Sequence, residues 1–99
     1  MKIEKNNGSL TVYLSGEIDH HSAGDLRQDI DFALIKTKPE EIILDFSDVS
    51  FMDSSGVGLV IGRYKTALIQ GTKTAVTGLK PRDKKILMMS GIQNKVEFR

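Results

Sequence analysis

The chain has 99 residues, 39% of them hydrophobic and 27% charged, which allows one domain with one modest core and no pair of lobes around a large active site. Fourteen basic and thirteen acidic residues leave a formal net charge of +1, so no overall field selects nucleic acid, a membrane surface or an acidic substrate. Cysteine is absent, which removes disulfides, thiolate chemistry and thiolate-held metals together.

Asn7-Gly8 is a strong hairpin turn signal and predicts that Ile3 to Lys5 pairs with the following segment. That segment, Leu10-Thr11-Val12-Tyr13-Leu14-Ser15, alternates apolar and polar residues as a strand with one buried face does. From Ser22 the period becomes helical through Ala23, Leu26, Ile30, Ala33 and Leu34, with Ser22 and Asp25 spaced as a capping pair. Pro39 ends this helix and its connection. Ile42-Ile43-Leu44-Asp45-Phe46 is a short, nearly continuous apolar run, expected as a central strand covered on both faces.

A second helix is expected from Ser54 or Ser55, burying Val57, Val60, Ile61, Tyr64 and Leu68 while Arg63 and Lys65 face elsewhere, and stopping at Gly71. Thr74 to Thr77 reads as a short strand. Pro81 opens a third helix that buries Ile86, Leu87 and Met89 and closes at Gly91, and Val96 to Phe98 supplies a last edge strand. The order β-β-α-β-α-β-α-β implies an α/β fold with a mostly parallel sheet of four to five strands and helices packed on it.

The stretch Phe51-Met52-Asp53-Ser54-Ser55-Gly56-Val57-Gly58 concentrates the chemistry. Asp53, Ser54 and Ser55 are all good N-cap residues, and taken alone they satisfy orphan amides at a helix start. Yet two adjacent hydroxyls stand where one cap suffices. Gly56 and Gly58 leave no bulk beside them, so another protein can approach the backbone closely. A helix N-terminus also tolerates added negative charge, by about 0.3–1 kcal/mol, so a phosphate here need not unfold the domain.

This stretch, continuing into Gly62-Arg63-Tyr64-Lys65, resembles the signature of the anti-sigma-factor antagonists, which are STAS-domain proteins, and is nearest to their sporulation branch. A second block, Leu14-Ser15-Gly16-Glu17-Ile18-Asp19-His20-His21-Ser22-Ala23, is similar to the same family, and the likeness covers nearly the whole chain as one STAS domain, residues 1–99. The resemblance implies a partner that is both anti-sigma factor and ATP-dependent serine kinase. The unphosphorylated protein binds it and frees the sigma factor; the phosphorylated one does not, until a serine phosphatase resets it. It also implies Ser54 as the phosphoacceptor, with Ser55 as second choice, and a partner-facing surface of Asp19, His20, Asp53, Ser55, Gly56 and Gly58. Family members usually continue past the last strand into another helix, whereas this sequence stops at Arg99.

Other chemistry finds less support. Gly56-Val57-Gly58-Leu59-Val60-Ile61-Gly62 enters a helix as dinucleotide-binding glycines do. However, the loop expected from Phe46 to Gly56 is too long for the tight turn, and no acidic residue follows Thr77 to hold a ribose. His20 and His21 are the only histidines; in extended chain they point apart, so no metal is expected. There is no GxSxG and no P-loop, so no enzyme activity and no cofactor are expected. Lys80, Arg82, Lys84 and Lys85, interrupted by Asp83, read as a solvated helix face, and Met88-Met89 as core filler or an adaptable apolar surface. The first residues lack the apolar run of a signal peptide and nothing later is long enough to span a bilayer, so the expected location is the cytoplasm. Two alternatives remain on the same fold: a nucleotide- or small-ligand-binding module using the amides at the Ser54–Gly58 helix start, and a scaffold subunit of a sensory complex.

Overall fold

Asn7 and Gly8 adopt φ values of 49° and 89°, the two left-handed conformations that a type I′ hairpin turn requires. The computed structural model, which describes residues 1–99, accordingly opens with β1 (Lys2–Asn6) antiparallel to β2 (Ser9–Ile18), Asn6 opposite Ser9. Then follow α1 (Ala23–Thr37), β3 (Glu41–Met52), α2 (Ser54–Ile69), β4 (Lys73–Thr77), α3 (Pro81–Met89), a 3-10 turn (Ile92–Asn94) and β5 (Glu97–Phe98). The strands lie in sequence order, β1-β2-β3-β4-β5, and every pair after the first is parallel. The expected mostly parallel α/β sheet with helices is therefore present.

Each crossover moves one strand in the same direction, and right-handed connections then put all three helices on one face. Leu10, Val12 and Leu14 of β2 and Ile42, Leu44 and Phe46 of β3 are buried beneath them. Thr11, Tyr13, Ile43 and Asp45 point to the other face and are only half-buried. The expectation that β3 is covered on both faces is thus corrected: no element packs over the second one, and the strand's alternation reflects that.

β3 is also longer than its apolar core suggested. Two register shifts against β2, between Tyr13 and Ser15 and between Gly16 and Glu17, each place an extra residue on β3. These bulges turn Val49 and Met52 inward and carry the strand on to Met52. Only Asp53 separates β3 from α2, so the long loop expected between Phe46 and Gly56 does not exist.

Three further expectations are revised. Ser22 makes no side-chain cap to α1; its hydroxyl donates to the Glu17 carbonyl at 2.9 Å, and the Asp19 carboxylate accepts the Ser22 amide instead. In α2 the buried line is Gly56, Leu59, Val60, Arg63 and Ala67, with Val57, Ile61 and Tyr64 half-buried and Leu68 exposed. The helix is therefore rotated relative to the predicted stripe, which brings Arg63 inward. In α3 Leu87 is buried and Ile86 half-buried, whereas Met89 is 79% exposed. No helix is long and apolar enough to cross a membrane.

Candidate functional site

The carboxyl ends of β2 and β3 finish side by side, with Ile18 opposite Met52, and the ladder ends where the Asp53 amide donates to the Ile18 carbonyl at 3.2 Å. This pairing brings the loop that follows β2, Asp19 to Ser22, near the start of α2. In a parallel sheet such strand ends are where loops converge to form sites.

At the start of α2 the cap is Asp53. Its backbone is extended and its carboxylate accepts the Ser55 amide at 2.7 Å. Ser54 is consequently the first helical residue, exposed, with its hydroxyl in no hydrogen bond to the protein. Ser55 is half-buried and faces α1. The two serines that look alike in sequence therefore have different surroundings: Ser54 points to solvent and Ser55 into a groove.

The two glycines differ as much. A Cβ on Gly56 would lie 2.2 Å from Met52 Cγ and 2.5 Å from its Sδ, so Gly56 is the residue that lets α2 rest on the end of β3. It is buried, and only its main chain can take part in docking. Gly58 is exposed, with nothing within 4 Å of the space a side chain would fill. Gly62 is equally unobstructed.

Asp19 organises the neighbouring loop. Its carboxylate accepts the His21 amide at 2.9 Å and the Ser22 amide at 3.1 Å, while its own amide donates to the Ser22 hydroxyl at 3.1 Å. The Ser22 amide, foremost, holds the Asp19 carboxyl below its ordinary range; the His21 amide and the nearby imidazoles act in the same direction. Because the loop is a turn, His20 and His21 do not diverge as adjacent residues of an extended chain would. Their rings lie 4.0 Å apart. The structure contains no group of three or more His, Asp or Glu side chains arranged to hold a metal ion.

Between the first turns of α1 and α2 lies an open groove of about 440 Å³, lined by His20, Ala23, Gly24 and Arg27 on one side and Ser55, Gly58, Gly62 and Arg63 on the other. Small residues keep it open. The two helices run parallel, and the Gln70 side chain donates to the Leu34 carbonyl at 2.9 Å at their far end. Arg63, 5% exposed, forms an ion pair with Asp31 of α1, Nε to Oδ1 at 2.6 Å. Burial lowers the Arg63 pKa, Asp31 opposes that, and the nearby positive charge of Arg27 adds to it. Two arginines, Arg27 and Arg63, thus line the groove, and the Asp31 carboxylate that pairs with Arg63 lies outside its lining.

Sequence reasoning missed Arg27 and Arg63. Their cue was the four-residue spacing of Arg27 and Asp31 on α1, which says nothing of a partner on another helix. Lys80, Arg82, Lys84 and Lys85 are exposed as expected of a solvated face, but two of them also reach the sheet, a contact the sequence did not announce: the Lys80 ammonium donates to the Val49 carbonyl at 2.6 Å, and Arg82 reaches the Met52 carbonyl at 3.3 Å. β4 stops at Thr77 and leaves these β3 carbonyls unpaired, so α3 satisfies them.

The glycine pattern of α2 is not that of a dinucleotide fold. The tight strand-to-helix turn is present after all, but Gly56 is closed off by Met52, and β4 ends at Thr77 followed by Gly78 with no acidic group.

Comparison with known proteins places this arrangement. The STAS domain profile matches residues 1–99. An anti-sigma F factor antagonist of Paenibacillus polymyxa is 39% identical over 92 residues, covering 93% of this chain and 79% of that protein. An anti-sigma-B factor antagonist of Bacillus subtilis is 26% identical over 96 residues, covering 97% and 86%. Among solved structures, the anti-sigma factor antagonist SpoIIAA in its unphosphorylated form superposes with a TM-score of 0.84 at 31% identity, over 99% of this chain and 86% of that one. The phosphorylated form of Bacillus SpoIIAA gives 0.75 at 32% identity, over 99% and 89%. A single α/β domain with this strand order, an Asp-capped Ser-Ser-Gly helix start and these relatives has one assignment: the chain belongs to the STAS-domain family of anti-sigma factor antagonists.

Proposed function

We propose that this protein is a partner switch whose state is written on Ser54. Unphosphorylated, it binds an anti-sigma factor that is also an ATP-dependent serine kinase, and so frees the sigma factor. The kinase transfers the γ-phosphoryl group of ATP to the Ser54 oxygen, the hydroxyl proton leaves to a base on the kinase, and ADP departs. A serine phosphatase restores the free hydroxyl. The chain itself performs no catalysis in this scheme, and it works in the cytoplasm, where sigma factors act.

One observation supports this reading above the others: Asp53 does the capping, which leaves the Ser54 hydroxyl exposed and uncommitted. A serine used as the cap would have to give up its helix contact to be modified. Docking surrounds Ser54 with Asp19, His20, Asp53, Ser55 and Gly58, and Gly56 supplies main chain only. Phosphate adds about −1.5 to −2 charges to a rim that already holds the Asp19 and Asp53 carboxylates. The partner then meets a repulsive surface on an unchanged fold.

The test is binding of the anti-sigma factor to Ser54→Ala and Ser54→Asp. The alanine variant is expected to bind constitutively, and the aspartate variant at least about tenfold more weakly, a difference of about 1.4 kcal/mol. Equal affinities reject the switch. A second reading, capture of a small phosphorylated ligand such as a nucleotide, draws on the cationic side chains of the α1–α2 groove. Saturable nucleotide binding by the isolated domain, lost in Arg27→Ala, would favour it.

A further inference from the structure

Arg82 sits at the second position of α3, and three features of its placement are unusual for a surface arginine. It touches the strand end that leads into the phosphoacceptor: Nη1 lies 3.3 Å from the Met52 carbonyl, two residues before Ser54. The guanidinium lies over the Phe51 ring, 5.8 Å from its centre. All its polar contacts use one nitrogen, since Nη1 also makes the 3.2 Å contact with Asp83. An arginine has five N–H donors, so those on Nε and Nη2 are uncommitted.

The contacts that hold it are weak. Charge-assisted N–H···O bonds run near 2.7–2.9 Å, and both Arg82 contacts are longer. Its neighbour Lys80 anchors α3 to the Val49 carbonyl at 2.6 Å and does not depend on Arg82. Arg82 is 64% exposed and free to turn without undocking the helix.

The serine faces the right way. Ser55 looks toward α1 and Gly56 rests on Met52, so at 100° per residue Ser54 lies on the outer surface of α2, tilted toward the α3 side. Two peptide steps separate Ser54 from Met52, at most about 7 Å between Cα atoms. A phosphoserine arm and an arginine side chain together span that gap.

We propose that Arg82 is the phosphate-holding residue of the switch: its guanidinium leaves the Met52 carbonyl and forms a bidentate pair with a phosphoryl group on Ser54. The phosphate is then held over the Phe51–Ser54 rim of the docking surface instead of waving in solvent. Its charge is fixed where the partner must dock, and the Phe51 ring is uncovered as the arginine moves. This deepens the Ser54 reading and rests on it.

The experiment uses the full chain with phosphoserine incorporated at position 54 during translation, beside Arg82→Gln and Arg82→Lys versions. Each is titrated by ³¹P NMR at low ionic strength. Free phosphoserine loses its second proton near pH 6, at about the value expected without a partner. With the clamp, the parent midpoint lies at least about half a unit below that of Arg82→Gln. Arg82→Lys falls between them, because a point charge replaces the fork. Raising salt to about 0.5 M removes most of the difference, as it does for an exposed pair. Lys80, Asp53, Asp83 and the α2 amides are common to all three proteins and cancel. Equal midpoints overturn the proposal, and so does a variant that changes only the melting temperature of the unphosphorylated protein. The phosphate is installed without a kinase. Failure of a kinase to modify Ser54 therefore sinks the switch reading, whereas equal midpoints sink only the role of Arg82.

Discussion

Adding one methyl group at Gly56 and at Gly58 is expected to move stability in opposite directions. At Gly56 the new carbon falls 2.2 Å from Met52 Cγ and 2.5 Å from Sδ, far inside van der Waals contact. Met52 is fully buried, so its flexible end has no solvent to move into and must displace other core side chains. Overpacking of this kind costs about 1–3 kcal/mol. Alanine returns at most about 1 kcal/mol of helix propensity, and less in the first turn. The net loss is about 1–2 kcal/mol. At Gly58 a Cβ meets nothing within 4 Å, so Gly58→Ala keeps the propensity gain, about 0.5–1 kcal/mol. In a domain of this size each kcal/mol displaces the melting temperature by about 4–8 °C. Urea denaturation followed by circular dichroism, with thermal melts, reads both variants. A double variant, Gly56→Ala with Met52→Ala, should cost less than the two single variants added together, because removing Cγ and Sδ vacates the contested space. A Gly56→Ala protein within about 0.5 kcal/mol of the parent, or a Gly58→Ala protein that loses as much, would refute the reasoning.

The Arg63–Asp31 pair offers a second test. Breaking a fully buried pair from one side costs about 3–5 kcal/mol, but the Asp31 side chain keeps 27% of its exposure, so Asp31→Asn should cost about 1–3 kcal/mol in chemical denaturation. An unchanged midpoint would show that Arg63 needs no counter-charge. At the C-terminal edge, Arg99 pairs with Glu41 at 2.7 Å and with Glu97 at 2.8 Å. The Arg99 hydrogen bond, and then the Ser9 hydroxyl, hold the Glu41 carboxyl below its ordinary range. A folded value below the unfolded one stabilises fully above about pH 4.3 and is lost as pH falls through the folded value. Arg99→Gln should therefore lower stability at pH 7 by less than about 1 kcal/mol, since the pair is partly exposed, and make no difference near pH 2. A deficit that persists in acid would mean that Arg99 stabilises β5 by packing and not by charge.

Much of this molecule is legible locally. The Asn7-Gly8 turn, the alternation in β2, the stops at Gly71 and Gly91 and the opening of α3 at Pro81 all follow from conformational preferences of a few adjacent residues. The position of the Ser-Ser pair at a helix start is equally local, because the capping residues and the helix they open lie within a dozen residues. What fails locally is anything that depends on rotation about an element's axis or on a partner distant in the chain. The predicted stripe of α2 put Val57 and Leu68 inward because they are apolar. The helix instead presents Gly56 to Met52 and Arg63 to Asp31, and only contact with β3 and α1 sets that angle.

The extension of β3 to Met52 was likewise hidden, since its last six residues, Ser47 to Met52, lose the regular alternation at the bulges and take their strand geometry from pairing with Ser15 to Ile18. By itself, then, the sequence determined the element order, the fold class and the motif, all of which rest on short-range preferences and hydrophobic period. Tertiary structure decided which of two adjacent serines is free, which of two glycines is a packing requirement, and which arginines face the site. Those are questions of direction in space, and a linear pattern contains no direction until strands and helices have packed.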